Sequence, residues 1–216
     1  MINVLFLGPE TSPVFLWLAK KAGVACKQTE AVIMRLSRSK YDVIVSHGYR
    51  HMVSNEIVSQ YSLRAINLHA SLLPWNRGAD PNFWSFAYNT PSGATIHLIN
   101  GGLDKGDIIA QERIVFTGSS HTLRSTYRCL QVTLFRMFKE LWPKFIAGQL
   151  SRMPQVTAGS YHNSVDKKPY EHLLTRGWDT PIAKIRGCAG EVQDSQHFWG
   201  KYDKEVAELN ECNRTS

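Results

Sequence analysis

Four cysteines, Cys26, Cys129, Cys188 and Cys212, are scattered through 216 residues without a C-x-x-C pair or a histidine partner. That spacing excludes a disulfide framework and a zinc site, and the four read as ordinary reduced thiols. No apolar run approaches the roughly 20 residues of a membrane span. The opening MINVLFLG is too short for a signal sequence, so a cytoplasmic location without membrane association is expected. The formal charge of +7 favours anionic ligands, but the basic residues gather in no run, so a small ligand such as a nucleotide fits as well as nucleic acid does, and a nucleic acid partner is not the expectation. What remains, 43% hydrophobic and 20% charged residues, is the composition of a globular domain with a real core.

The chain opens as a buried strand, Ile2 to Leu7, turning at Gly8 and Pro9 into a short helix that starts at Pro13. This β-turn-α start invites a dinucleotide reading, but G-P-E-T-S-P lacks the G-x-G-x-x-G pattern. Thr11 and Ser12 at the helix start either bind a substrate phosphate or simply cap the helix. A brief strand over 24–29, a basic helix over 31–40, a strong strand over 43–46 and a helix over 56–61 follow. Strand and helix alternate as in a doubly wound α/β sheet, in which ligands bind beyond the carboxyl ends of the strands. The loop at Gly48 to Val53 lies at such an end.

A stretch from Arg64 to Ile109 organises the rest. Arg64 to Leu68 reads as a strand end, and side chains two apart face the same side, so Asn67 and His69 share one cleft. Pro74, Asn76, Gly78 and Asp80 form a loop, with Asp80 as the expected cap of a helix through Ala87. Phe83, Trp84 and Phe86 in that helix read as core. After a strand over 94–98, Asn100, Gly101 and Gly102 present Asp104, and Asp107 to Ile114 is a further strand. An amide, an imidazole and a carboxylate on adjacent strand ends suit attack of an amine on a carbonyl. The Asn67 N–H would stabilise the oxyanion, His69 would move the proton, and Asp104 would orient or charge the imidazole. No Ser or Cys sits at a strained elbow, so direct transfer fits better than an acyl-enzyme. His97 is either a satisfied half-buried histidine or a neighbour of Asp104.

Taken alone, N-x-H is a weak signal. The ordered pair N-L-H-A-S-L-L-P-W-N-R-G and G-A-T-I-H-L-I-N-G-G-L-D-K-G-D-I-I resembles the formyltransferase family that uses 10-formyltetrahydrofolate. That family includes glycinamide ribonucleotide transformylase, methionyl-tRNA formyltransferase and the sugar N-formyltransferases. The resemblance, over roughly residues 40–166, implies a Rossmann-like α/β fold: a mostly parallel twisted sheet flanked by helices, with a short carboxyl-terminal appendage. It also implies catalytic roles for Asn67, His69 and Asp104. G-Y-R-H-M-V resembles the family's folate-binding hinge. Tyr49, Arg50, His51, Met52 and Val53, with Gly101, Gly102 and Leu103, would therefore hold 10-formyltetrahydrofolate, the cosubstrate. No metal is implied. Thr11, Ser12, Arg77, Gly78, Asp80, His97 and Tyr161 are the candidate acceptor contacts, although Tyr161, His162 and Asp166 would serve structural packing equally well.

A catalytic domain over 1–150 is expected to close with a long helix, His121 to Phe145, whose stripe Leu123, Tyr127, Leu130, Leu134, Phe138, Leu141 and Phe145 is core. Breakers crowd residues 151–216, so short elements are expected there, a turn at Trp178 to Ile182 feeding a short helix, and frayed terminal residues. The phosphate loop of the purine enzymes is missing, and some 65 residues after the helix leave little for the β-barrel of the tRNA enzymes. A primary amine on a nucleotide-linked amino-deoxysugar is the acceptor this elimination leaves. Glycinamide ribonucleotide or another amine, hydrolysis of 10-formyltetrahydrofolate, and folate binding without catalysis are the alternatives. A regulatory domain typical of the hydrolases is not expected before Met1. The apolar helix would serve a homodimer or internal packing.

Overall fold

The computed structural model describes residues 1–37, 40–155, 159–190 and 195–214. Six strands form one sheet in the order β2-β1-β3-β4-β6-β7, made of Val24–Thr29, Ile2–Leu7, Val43–His47, Ala65–His69, Gly93–Leu98 and Ile108–Arg113. The first four pair in parallel, while β4–β6 and β6–β7 are antiparallel, and the two-residue strand β5 (Arg77–Gly78) pairs in parallel with β8 (Tyr161–His162) in a second small sheet. This is the mostly parallel α/β sheet flanked by helices that the alternation of elements implies.

The sheet has two apolar faces because alternate side chains of a strand point opposite ways. Val4, Phe6, Val43, Val45, Ile66 and Ile96 join the helices α1 (Pro13–Lys20) and α4 (Leu123–Ala147) in the larger core. Leu5, Leu7 and Ile44 join Ile57 and Tyr61, in and beside α2 (Asn55–Gln60), in the other. Helix α4 starts on a capping box between Thr122 and Ser125 and stops at Gly148, whose φ of 70° lets the chain leave the helix. Leu123, Leu130, Leu134, Phe138, Leu141 and Phe145 are buried along one face as their spacing requires. Tyr127 departs from that stripe. It is 36% exposed and faces the cleft described below.

Two further expectations are corrected. Residues 31–37 are not helical, and residues 38 and 39 lie outside the described residues. The Tyr49 hydroxyl donates to the Ala31 carbonyl at 2.8 Å, an acceptor that a helix would pair with the N–H of residue 35, and accepts from the Ile33 N–H at 3.3 Å. Ile33 and Leu36 meanwhile pack onto the second core. Nor does the chain end in short elements alone: α5 (Ser195–Arg214) is a 20-residue helix. The breakers that suggested otherwise stop at Gly190, apart from Gly200. Val206 and Leu209 of α5 pack with Leu72, Leu73, Trp75 and Ile108.

The polar side of α5 holds the sheet edge. The side chain of Asn210 accepts from the Gln111 N–H at 3.2 Å and donates to its carbonyl at 2.6 Å, completing strand β7. Asn213, 2% exposed, donates to the carbonyls of Ile109 and Ser151 and accepts from the Ser151 N–H. The helix is therefore tied down to Asn213 rather than frayed; Thr215 and Ser216 lie outside the described residues. Short 3-10 turns at Gly177–Asp179 and Ile182–Lys184 follow the Trp178 segment, with Ile182 and Ile185 buried against Phe83 and Trp84.

Candidate active site

A cleft of about 790 Å³ opens at the carboxyl ends of β3 and β4. One wall is the segment from Ser46 to Val53 with the β6–β7 loop at Asn100, Gly102 and Leu103. The other is built by Gly78 to Pro81 and by Tyr161 to Ser164, which meet where Arg77 and Gly78 pair with Tyr161 and His162, and Tyr127 and Gln131 of α4 complete the lining. Strand β4 places Asn67 and His69 on the cleft side, and the β6–β7 loop brings Asp104 against them.

Asp104 is 9% exposed and holds a left-handed backbone, φ 50°, a region in which Asp is among the few side chains tolerated. Its Oδ1 accepts from Asn67 Nδ2 at 3.1 Å and lies 3.4 Å from His97 Nε2. Its Oδ2 accepts from the Gly78 N–H at 2.9 Å and lies 3.6 Å from His69 Nδ1. Burial opposes ionisation, but His69, His97 and the Gly78 N–H outweigh it and hold the carboxyl well below the usual carboxylate range. Gly78 has no substitute in this contact. Its φ is 90°, and a Cβ there would meet the His162 carbonyl oxygen at 2.3 Å.

His69 is 7% exposed, and burial lowers its pKa from the ordinary 6.5 against the opposing pull of Asp104. Its Nε2 lies 3.0 Å from the Asn76 carbonyl, an acceptor only, which assigns the resting proton to Nε2. Nδ1 is then the basic nitrogen and faces Asp104. His97 is 2% exposed, with Nδ1 2.8 Å from the Leu98 carbonyl and Nε2 3.2 Å from Asn67 Nδ2 and 3.4 Å from Asp104 Oδ1. Asn67 Nδ2, His97 Nε2 and Asp104 Oδ1 thus form a nearly equilateral triangle.

Of the other residues singled out in the sequence, Tyr49, Arg50, His51, Met52, Val53, Gly102 and Leu103 line the first wall, and Gly78, Asp80 and Tyr161 the second. Five lie off the lining, one of them Asp166, whose Oδ2 accepts from the Asn163 N–H at 2.7 Å. Gly101 sits against Asn55. The Arg77 guanidinium binds Gln155 Oε1. Thr11 is outside the cleft, and Ser12, 4% exposed, caps α1 through the Val14 N–H and shares a 2.8 Å hydrogen bond with His47 Nδ1. Asp80 occupies the cap position of α3 (Pro81–Ala87) but makes no side-chain cap bond; left-handed backbone, φ 52°, turns its carboxylate to Lys167 Nζ at 2.7 Å instead.

Tyr127 and Gln131 also line the cleft: Tyr127 was hidden by its place in the apolar stripe of α4, and Gln131 by the absence of any pattern around it. The sequence reading also missed Asn163, Ser164 and the Asn76 carbonyl, which no side-chain pattern announces. His47 is buried beside Gln131, and desolvation pushes its pKa down to about 4. Among the described residues, no group of three or more His, Cys, Asp or Glu could hold a metal, and no helix is long and apolar enough to cross a membrane.

Comparison with known proteins gives this cleft a context. A family model described as formyl transferase matches residues 9–132. The formyltransferase PseJ of Anoxybacillus kamchatkensis, solved in complex with UDP-4,6-dideoxy-4-formamido-L-AltNAc and tetrahydrofolate, is 42% identical. Its TM-score is 0.82, covering 87% of this chain and 99% of that one. A 4-N formyltransferase from Francisella tularensis, 22% identical, shares the fold at a TM-score of 0.69, with 78% of each chain covered. The methionyl-tRNA formyltransferase of Myxococcus xanthus is 28% identical over 155 residues, 69% of this chain. The chain spans about half the length of that curated relative, 49%.

Proposed function

The chain belongs to the formyl transferase family, and we propose that it moves a formyl group from 10-formyltetrahydrofolate to a primary amine on a nucleotide-linked amino sugar. The observation that carries this reading is the convergence of Asn67, His69 and Asp104 in one cleft. The 42% likeness over nearly all of PseJ, crystallised with tetrahydrofolate and a UDP-linked formamido sugar, points to the same acceptor class. A UDP-linked 4-amino-4,6-dideoxy sugar is accordingly the first acceptor to offer.

In this account the neutral amine attacks the formyl carbon, and the Asn67 side-chain amide donates to the developing oxyanion. His69 Nδ1 takes the proton that the attacking nitrogen sheds. The imidazolium so formed is held between the Asp104 carboxylate and the Asn76 carbonyl, two acceptors already in place. Return of that proton to N10 of the folate lets the bond from N10 to the formyl carbon break, giving the formamide and tetrahydrofolate. The first wall, Tyr49 to Val53 with Gly102 and Leu103, takes the folate, and the second takes the sugar.

The test is tetrahydrofolate release measured with a panel of UDP-, dTDP- and GDP-linked 3-amino and 4-amino sugars, glycinamide ribonucleotide and no acceptor. Release that depends on an amino sugar supports the reading. Equal release without acceptor makes the protein a hydrolase, and folate binding without release makes the triad inactive.

A further inference from the structure

We propose that Gln155 is a positioning residue for Asp104, the clamp that holds the carboxylate loop against the strand carrying Gly78. The inference rests on the formyl-transfer reading for its kinetic consequence, but its geometry stands apart from it. One end of the Gln155 amide donates twice, to the carbonyls of Asp104 at 2.7 Å and Gly106 at 2.8 Å. The other end accepts twice from Arg77, from Nε at 3.0 Å and Nη2 at 2.7 Å.

These four bonds close a ring. Arg77 adjoins Gly78, whose N–H binds the Asp104 carboxylate, and Gln155 joins the Arg77 side chain back to the Asp104 carbonyl. Asp104 is left-handed at φ 50°, a conformation that persists only where the surroundings enforce it. Gln155 reaches this point because Met153 pairs in both directions with Ile108, through backbone bonds of 2.7 and 2.9 Å. The loop it grips is tight: a Cβ at Gly106 would meet the Leu98 carbonyl oxygen at 1.6 Å. Only a glutamine-length amide supplies donors at one end of this span and an acceptor at the other. Glutamate lacks the donors, and methionine lacks both.

Gln155→Met and Gln155→Glu test the clamp. For Gln155→Met we expect kcat to fall about tenfold to a hundredfold, the loss expected when a reacting group is displaced by about 1 Å. The KM values for both substrates should stay within about threefold, because Gln155 lines neither wall. Gln155→Glu keeps the Arg77 contact but turns a carboxylate oxygen against the Asp104 and Gly106 carbonyls in place of the two donors, so it should lose at least as much, and it carries the test if the Met protein does not fold. The second readout is the Gly78 amide proton in the NMR spectrum, which should move upfield in either variant as its bond to Asp104 loosens. A merely structural Gln155 would lower Tm without moving kcat per folded enzyme or this resonance. A kcat within twofold of wild type, or an unmoved Gly78 resonance, overturns the proposal. A wild-type protein inactive on every amine would sink the transfer reading, while the Gly78 resonance would still decide the clamp.

Discussion

His69 Nδ1 stands 3.6 Å from Asp104 Oδ2, while the opposite ring nitrogen, Nε2, is fixed 3.0 Å from the Asn76 carbonyl. A basic nitrogen thus faces a carboxylate with the rest of the ring already anchored. Such an imidazole gains most from proximity to Asp104 when it takes a proton, which is the moment the proposed reaction needs it.

Replacing Asp104 with Asn tests that pairing. The side chain keeps its shape but loses the charge that would hold the imidazolium, so kcat should fall about 10²- to 10⁴-fold. The protein should still fold and bind folate, with a lower Tm, because an amide at this position leaves one of the donors now bonded to the carboxylate, Asn67 Nδ2 or the Gly78 N–H, without its acceptor. Near-normal turnover in Asp104→Asn would remove Asp104 from the mechanism.

The pH profile follows from the direction of the His69 shift. Burial lowers its pKa from 6.5, so the ring is neutral and able to accept a proton at neutral pH. With an acceptor amine kept in excess, kcat/KM should therefore climb with pH through an apparent pKa below 6.5 and then level off. Asp104, ionised well below that range, adds no limb of its own. An acid limb centred above 6.5 would contradict a neutral resting His69.

His47 makes a separate stability prediction. Its folded pKa is about 4 against 6.5 for the free side chain, so its contribution is complete above about pH 6.5. As the pH falls from 6.5 to 4 the unfolded chain takes up a proton that the folded chain refuses, and roughly 3 kcal/mol of stability is lost. Urea unfolding followed across that range should show this fall, and His47→Gln should flatten it by up to one proton. An unchanged slope would mean that His47 is protonated in the folded state.

At the sheet edge, Asn213→Ala should cost about 1–3 kcal/mol, because it strands the Ile109 carbonyl and both backbone groups of Ser151 that Asn213 now satisfies. Urea unfolding checks this. The KM for folate should not change, since Asn213 lies away from the cleft lining.

Legibility in the sequence divided along physical lines. Asn67 and His69 could be placed on one face because a strand has a strict period of two, and the glycines before Asp104 signalled the loop that brings it near. The buried strands at Ile2–Leu7 and Val43–His47 and the long helix α4 stood out for the same reason, that periodicity and burial are local properties. What stayed hidden depends on partners far away in the chain. Residues 31–37 carry a helical composition, yet the Tyr49 hydroxyl 16 residues from Ile33 takes the Ala31 carbonyl that a helix would use. Tyr127 keeps the apolar spacing of α4 but meets the cleft instead of the core. Gln155 carries no pattern at all, because its meaning lies in bonds to Arg77 and Asp104, 78 and 51 residues away.

The central claim is that this cleft transfers a formyl group from folate to the amine of a nucleotide-linked amino sugar. Its most direct test follows 10-formyltetrahydrofolate labelled with carbon-13 in the formyl group, incubated with the protein and a UDP-linked 4-amino-4,6-dideoxy sugar. The account predicts that the label appears as a formamide on the sugar nitrogen, one for each tetrahydrofolate released. Label recovered only as free formate, or left on the folate with every amino sugar offered, would contradict it.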